Sequence, residues 1–228
     1  LVHGGTMILL ILSLVLSYLL GSFPTAIVLG RMFHGKDLRD FGSGNSGATN
    51  AFRVFGWKLG LAIAAIDVAK GALAAGLLSR IADPSFGGAD AAKLLCGVAA
   101  VIGHVWTVFA RFRGGKGIAT AAGAILVLSP PGFLAALILF ALTLGLSGIV
   151  SLASFSAAFG FSACVFALHA FGKTQSAWLL GFASLALPFV LFTHRANLVR
   201  LFTGQEKSMQ RAAFIRNICI KSGKDRAK

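Results

Sequence analysis

Apolar runs long enough to cross a bilayer alternate with short polar stretches along nearly the whole chain. A spanning helix needs about 20 mostly apolar residues. Such runs fall at roughly 7–29, 57–79 and 91–110, and again at 150–171 and 176–193. Between them, residues 117–147 are apolar but contain Pro130 and Pro131. Adjacent prolines remove backbone donors and push the preceding residue out of helical geometry. This stretch therefore reads as two spans, roughly 117–129 and 131–147, the first of them short. The pattern predicts an all-α integral membrane protein with seven transmembrane helices, a single membrane domain over residues 1–204, and a basic tail over 205–228.

Composition agrees with that class and removes others. Of 228 residues, 57% are hydrophobic and only 12% charged, against about 25% charged in an ordinary globular domain. A soluble nucleic-acid-binding reading of the net charge of +14 is poor, because such proteins spread basic residues over a solvated surface. Disorder is excluded by the high hydrophobicity. What matters is where the cations lie. With seven spans, the loops after spans 1, 3 and 5 share a side with the tail, and 17 of the 21 Lys and Arg fall there. Arg80, Lys93 and Lys173 fall opposite, and Lys70 lies within span 2. The positive-inside rule then predicts an N-terminus outside and a cytoplasmic C-terminus.

Cys96, Cys164 and Cys219 are widely separated and have no CxxC or Cys/His company, so they are expected to be small apolar fillers. The first apolar run lacks a basic leader and a small-residue cleavage site, so no cleaved signal peptide is expected. Met7 is the expected natural initiator.

The unusual polar residues gather on the predicted cytoplasmic side. The first loop carries GSGNSGATN, residues 42–50, followed by Arg53. Residues 114–117 are GGKG, residues 150–154 are VSLAS, and the last span ends in His194-Arg195-Ala196-Asn197. GSGNSG is formally GxGxxG, but no βαβ unit surrounds it and the dinucleotide reading fails. Its glycines still let backbone N–H groups approach an oxyanion closely. Ser43, Asn45, Thr49 and Asn50 add short polar contacts, and Arg53 offers a planar fork suited to phosphate. GGKG lacks the spacing of a Walker loop, yet Lys116 is a cation on a glycine-freed backbone. Asp67 and Lys70, three residues apart inside a span, are expected to be a structural ion pair. His104 is expected to be a packing or boundary residue.

Absences narrow the chemistry. The chain has no HExxH, no carboxylate cluster for magnesium, no GxSxG and no HxxxxD, so neither a metal nor a cofactor is expected. The residues describe an anion site at a membrane surface, with phosphate-bearing substrates of which one is lipid-like.

In order, GSGNSGATNAFR, GHVWTVFARFRGGKGIATA, VSLAS and HRAN resemble the motifs of the bacterial acyl phosphate:glycerol-3-phosphate acyltransferases, the PlsY family. The resemblance runs from about Gly21 to Glu206. It implies a seven-span inner-membrane enzyme with its active site facing the cytoplasm. It also implies acyl transfer from acyl phosphate to glycerol 3-phosphate, giving lysophosphatidic acid and inorganic phosphate, the first acylation of phospholipid synthesis. Carried over by motif, Lys116, Ser43, His194 and Ser151 are the expected catalytic residues. Gly42, Asn45, Thr49, Asn50, Arg53, Gly115, Gly117 and Asn197 are the expected substrate-binding residues. The expected partners are the two substrates, membrane lipid, and an enzyme that produces acyl phosphate, with no nucleic acid. Ser46, Thr107 and Ala153 depart from the family's usual Pro, Pro and Gly, and none of these changes removes a charged or hydrogen-bonding group. The proton acceptor stays open between His194 and a substrate phosphate. The competing class is a transporter of an anionic phosphorylated solute, which would place its charges near mid-membrane on broken helices.

Overall fold

The computed structural model describes residues 2–82, 87–173 and 175–209. Among them there is no strand, and ten α-helices carry the fold: α1 Val2–Ser22, α2 Thr25–His34, α3 Ala48–Phe55, α4 Trp57–Gly76, α5 Gly88–Val105, α6 Ile118–Leu128, α7 Pro130–Ser147, α8 Val150–Ala170, α9 Ala177–Thr193 and α10 Arg195–Phe202. They form two compact units that divide at Pro130 and Pro131.

Five segments are long and apolar enough to cross a membrane: Gly4–His34, Trp57–Ile81, Gly88–Ala110, Pro130–Ser147 and Val150–Ala170. A sixth arises if α9 and α10, bent by 68° at His194, are taken as one broken span. The expected short span is α6, with 11 residues. At a rise of 1.5 Å per residue, a helix of that length covers about half of the hydrocarbon thickness. Its separation from α7 occurs where the prolines require it. Ser129 lies at φ −150°, ψ 85°, outside helical geometry, immediately before Pro130.

The first apolar run is one candidate span, Gly4–His34, which contains the span expected at 7–29, but its helix is interrupted. Pro24 breaks it between α1 and α2, with Phe23 and Pro24 outside both helices. The polar stretch that follows is not merely a loop. It contains a 3-10 turn at Leu38–Asp40 and the short helix α3. Its Leu38 and Ala51 are fully buried in one cluster with Ala26 and Ile63. The tail positions 210–228, with most of the predicted basic tail and Cys219, lie outside the described residues.

Small residues let the helices of the first unit approach closely. A methyl group on Gly71 of α4 would overlap the Thr120 carbonyl of α6, and one on Gly123 of α6 would overlap the Val68 carbonyl of α4. Gly21 of α1 faces the Ala100 carbonyl of α5 in the same way. Apolar lipid gives little hydrophobic drive to helix association, so close backbone packing of this kind stabilises it. In the second unit, α8 and α9 are joined by Ser162 Oγ donating to the Ala183 carbonyl at 2.7 Å and by an edge-on pair of Phe161 and Phe182. Large apolar side chains such as Ile8, Leu134 and Phe159 are exposed, as expected where lipid is the solvent.

Candidate active site

In the first unit, the glycine-rich loop is built around one amide. Asn50 is 2% exposed and sits in the first turn of α3. Its Nδ2 donates to the carbonyls of Phe41 (2.9 Å), Asn45 (3.0 Å) and Leu38 (3.3 Å). Its Oδ1 accepts the N–H of Ser43 at 2.9 Å. Gly42 is required at the tightest point: it lies at φ 65°, and a methyl there would overlap Asn50 Oδ1. Asn50 thus shapes the loop by spending its amide on the backbone. Ser43 is exposed on that loop, while Asn45, Thr49 and Arg53 are half-buried. Thr49 and Arg53 are four residues apart on α3, hence on one face.

The loop is pinned at its base. Arg39 makes two hydrogen bonds from its guanidinium to the Asp37 carboxylate and a third to the Ala110 carbonyl at 3.2 Å. Those bonds from Arg39, with help from Arg31, hold the Asp37 carboxyl down at about 2 despite partial burial. The same contact ties residues 37–41 to the segment that leads into GGKG.

GGKG folds back onto the end of α5. The Gly114 N–H donates to the Val105 carbonyl and the Gly115 N–H to the His104 carbonyl, each at 3.1 Å. Gly117 adopts the left-handed conformation at φ 80° and begins α6. Gly115 and Gly117 are buried and Lys116 between them is half-buried. A small cavity has Thr25, Ser46, His104, Thr107, Gly114 and Gly115 in its wall. Both glycine-rich loops therefore adjoin one cavity.

Asp67 of the expected ion pair also lines this cavity. Lys70 Nζ and Asp67 Oδ1 are 2.9 Å apart with 4% and 2% of their side chains exposed. Thr25 Oγ1 donates to the same Asp67 oxygen at 2.9 Å. Lys70 also donates to the carbonyls of Gly21 (3.1 Å) and Phe23 (2.9 Å), which the break at Pro24 leaves without helical donors. His104 is more than the packing residue expected, since its Nδ1 lies 3.4 Å from Lys70 Nζ.

In the second unit, Ser151 and Asn197 meet on a residue the motif reading passed over. Glu206 Oε1 accepts from Asn197 Nδ2 at 2.6 Å and from Ser151 Oγ at 3.0 Å. Its Oε2 pairs with Arg200 Nε at 2.9 Å. Burial would raise the Glu206 carboxyl, but the hydrogen bonds from Asn197, Arg200 and Ser151 outweigh it and hold the group below its ordinary value. The available signal was compositional: Glu206 is the chain's only glutamate, set in a strongly basic stretch.

His194 occupies the bend between α9 and α10 and is 3% exposed. Its Nδ1 is 3.0 Å from the Val190 carbonyl. A carbonyl only accepts, so this contact places the proton on Nδ1 and the neutral ring's lone pair on Nε2. The ring stands edge-on to Phe155, which is four residues from Ser151 on α8 and so on the same face. Among the described residues, no three His, Cys, Asp or Glu side chains gather as a metal site would require.

Known proteins resemble this chain closely. A family model for glycerol-3-phosphate acyltransferase matches residues 11–204. A glycerol-3-phosphate acyltransferase of Chlorobaculum parvum is 43% identical over 216 residues, covering 85% of this chain and 93% of its own. That of Chlorobium phaeovibrioides is 42% identical over 228 residues, covering 88% and 96%. Among solved structures, the integral membrane glycerol 3-phosphate acyltransferase PlsY in its glycerol 3-phosphate form is similar with a TM-score of 0.77 and 32% identity, covering 88% of this chain and 95% of its own. Its lysophosphatidic acid form gives 0.74 and 30%, covering 87% and 94%.

Proposed function

The chain belongs to the glycerol-3-phosphate acyltransferase family, and from that premise we propose that it takes its acyl group from acyl phosphate. The products are lysophosphatidic acid and inorganic phosphate. The observation that carries this reading is the pair of glycine-rich loops adjoining one cavity in the first unit. Each has a cation nearby in sequence, Arg53 after one and Lys116 within the other. A donor and an acceptor that each bear a phosphate need two anion sites, and a cation at each of two glycine-rich loops suits that need.

In this reading Lys116 and the Ser43 hydroxyl take the phosphate of the donor, and Ser151 is assigned to the same substrate. Arg53, His194 and Asn197 take glycerol 3-phosphate, with Asn45, Thr49 and the glycines at 42, 115 and 117 shaping the contacts. The primary hydroxyl of glycerol 3-phosphate attacks the acyl carbonyl. The C–O bond to phosphate then breaks, and phosphate leaves with the electron pair. Acyl phosphate is already an activated mixed anhydride, so no acyl-enzyme is needed. Orientation of the hydroxyl and stabilisation of the developing charge lower the barrier. The hydroxyl proton passes to His194 Nε2 or to a substrate phosphate oxygen.

The asymmetry of the cations supports seven spans with the N-terminus outside, and with it an active site facing the cytoplasm from the bacterial inner membrane. In that arrangement α6 is the short fourth span and the bent pair α9–α10 the seventh.

The test is release of inorganic phosphate from synthetic acyl phosphate with and without glycerol 3-phosphate, using acyl-CoA as the control donor. Phosphate release that depends on glycerol 3-phosphate is expected. Acyl transfer from acyl-CoA alone would overturn the donor assignment.

A further inference from the structure

Asp67, Lys70 and His104 have no part in the chemistry above, yet they are 1%, 3% and 8% exposed. Burying a charge pair is costly even when it is well bonded. Stability of the helix packing alone would not require a third ionisable group beside it. The geometry points to a use for that group.

Lys70 Nζ is held from three sides, by Asp67 Oδ1 and by the Gly21 and Phe23 carbonyls. Its remaining close polar neighbour is His104 Nδ1 at 3.4 Å. The same Nδ1 lies 3.7 Å from Asp67 Oδ1, so the ring's Nδ1 edge faces the ion pair as a whole. The Nε2 edge lies against Gly115, where a methyl group would overlap it. The His104 carbonyl meanwhile accepts the Gly115 N–H, and the next carbonyl, of Val105, accepts that of Gly114. The residue before Lys116 is therefore gripped twice by His104, once by backbone and once by ring. The ring itself is oriented by a lysine anchored in the helix break at Pro24.

We infer that Asp67, Lys70 and His104 are positioning residues for Lys116, with Lys70 fixing the His104 ring and the ring fixing the loop at 114–117. This rests on the proposed role of Lys116 and extends it to three residues that need not touch substrate. The ring can set the loop's position because Gly114 and Gly115 have no side chains to hold it off. A displacement of about 1 Å at a reacting centre costs on the order of a hundredfold in rate.

The test uses the full-length enzyme in detergent, with turnover expressed per folded molecule from size-exclusion and thermal-unfolding profiles. His104→Ala is expected to lower kcat about a hundredfold, by a larger factor than the KM of either substrate rises, because a misplaced cation is lost chiefly from the transition state. His104→Asn, which keeps a polar atom near the Nδ1 position, is expected to recover part of that loss. Lys70→Met is expected to resemble His104→Ala. Normal kcat per folded molecule in His104→Ala, with only the yield of folded protein reduced, would overturn the inference. Failure of both His104 variants to fold would also overturn it, in favour of a structural role alone. Lys116→Ala is measured alongside. If that variant retains normal turnover, the role of Lys116 fails instead, and the two failures are told apart.

Discussion

Asn197 Nδ2 donates to Glu206 Oε1 at 2.6 Å, on the same oxygen that accepts Ser151 Oγ at 3.0 Å. One carboxylate thereby fixes two residues that lie 46 positions apart in sequence, one on α8 and the other on α10. Removing it leaves two buried polar side chains without that acceptor. Glu206→Ala is expected to destabilise the protein by about 1–3 kcal/mol, read as a lowered thermal midpoint in detergent. Turnover should fall with it, since Ser151 and Asn197 lose their orientation.

The same carboxylate predicts a dependence on pH. Its folded value lies below its ordinary one, so it binds fewer protons folded than unfolded in the acid range. Its contribution is present above the unfolded carboxylate pKa and is lost as pH falls through the lower folded value. Thermal midpoints of wild type and Glu206→Gln should therefore converge on acidification from neutral pH. Parallel curves would show that Glu206 adds nothing through its charge.

Lys116→Ala is expected to fold normally and to lose several orders of magnitude in turnover, on the scale of about 10³-fold for a single electrostatic stabiliser of the transition state. Wild-type elution on size exclusion together with near-wild-type turnover would remove Lys116 from the chemistry.

His194→Asn is expected to lower kcat/KM by about 10²–10⁴-fold if His194 Nε2 takes the proton. The pH–rate profile assigns the acceptor. Loss of the limb on which activity rises with pH assigns it to His194, and an unchanged limb assigns it to a substrate phosphate.

Asn50→Asp keeps the Oδ1 acceptor for the Ser43 N–H but replaces the Nδ2 donor that serves three carbonyls. Oxygen then faces oxygen at 2.9–3.3 Å. The loop at 41–46 should loosen, with a stability loss of about 1–3 kcal/mol and faster limited proteolysis there. Unaltered proteolysis would show that the loop does not depend on this amide.

Much of the architecture was legible in one dimension. Lipid imposes long apolar runs, and the chain obeys, so all-helical membrane class and most helix positions follow from hydropathy. The separation of α6 from α7 follows from Pro130 and Pro131. The break at Pro24 was equally visible as a residue, but apolar side chains continue across it to Leu29, so hydropathy alone passed over it. The helix α3 was hidden for the opposite reason. Its polar Thr49, Asn50 and Arg53 read as loop, while Ala51 and its neighbours pack into a small apolar cluster of their own.

Function divided along the same line. The resemblance of four ordered motifs is what proposes Ser43, Arg53, Lys116, Ser151, His194 and Asn197 as a set, while residue type alone pointed to phosphate at the glycine-rich loops with Arg53 and Lys116. What each polar atom does was decided by tertiary structure. Asn50 turns inward to hold its loop, Ser151 and Asn197 converge on Glu206, and His104 leans on Gly115 with Lys70 behind it. A hydrogen bond is set by a few tenths of an ångström between residues far apart in sequence, and no periodicity along the chain carries that distance.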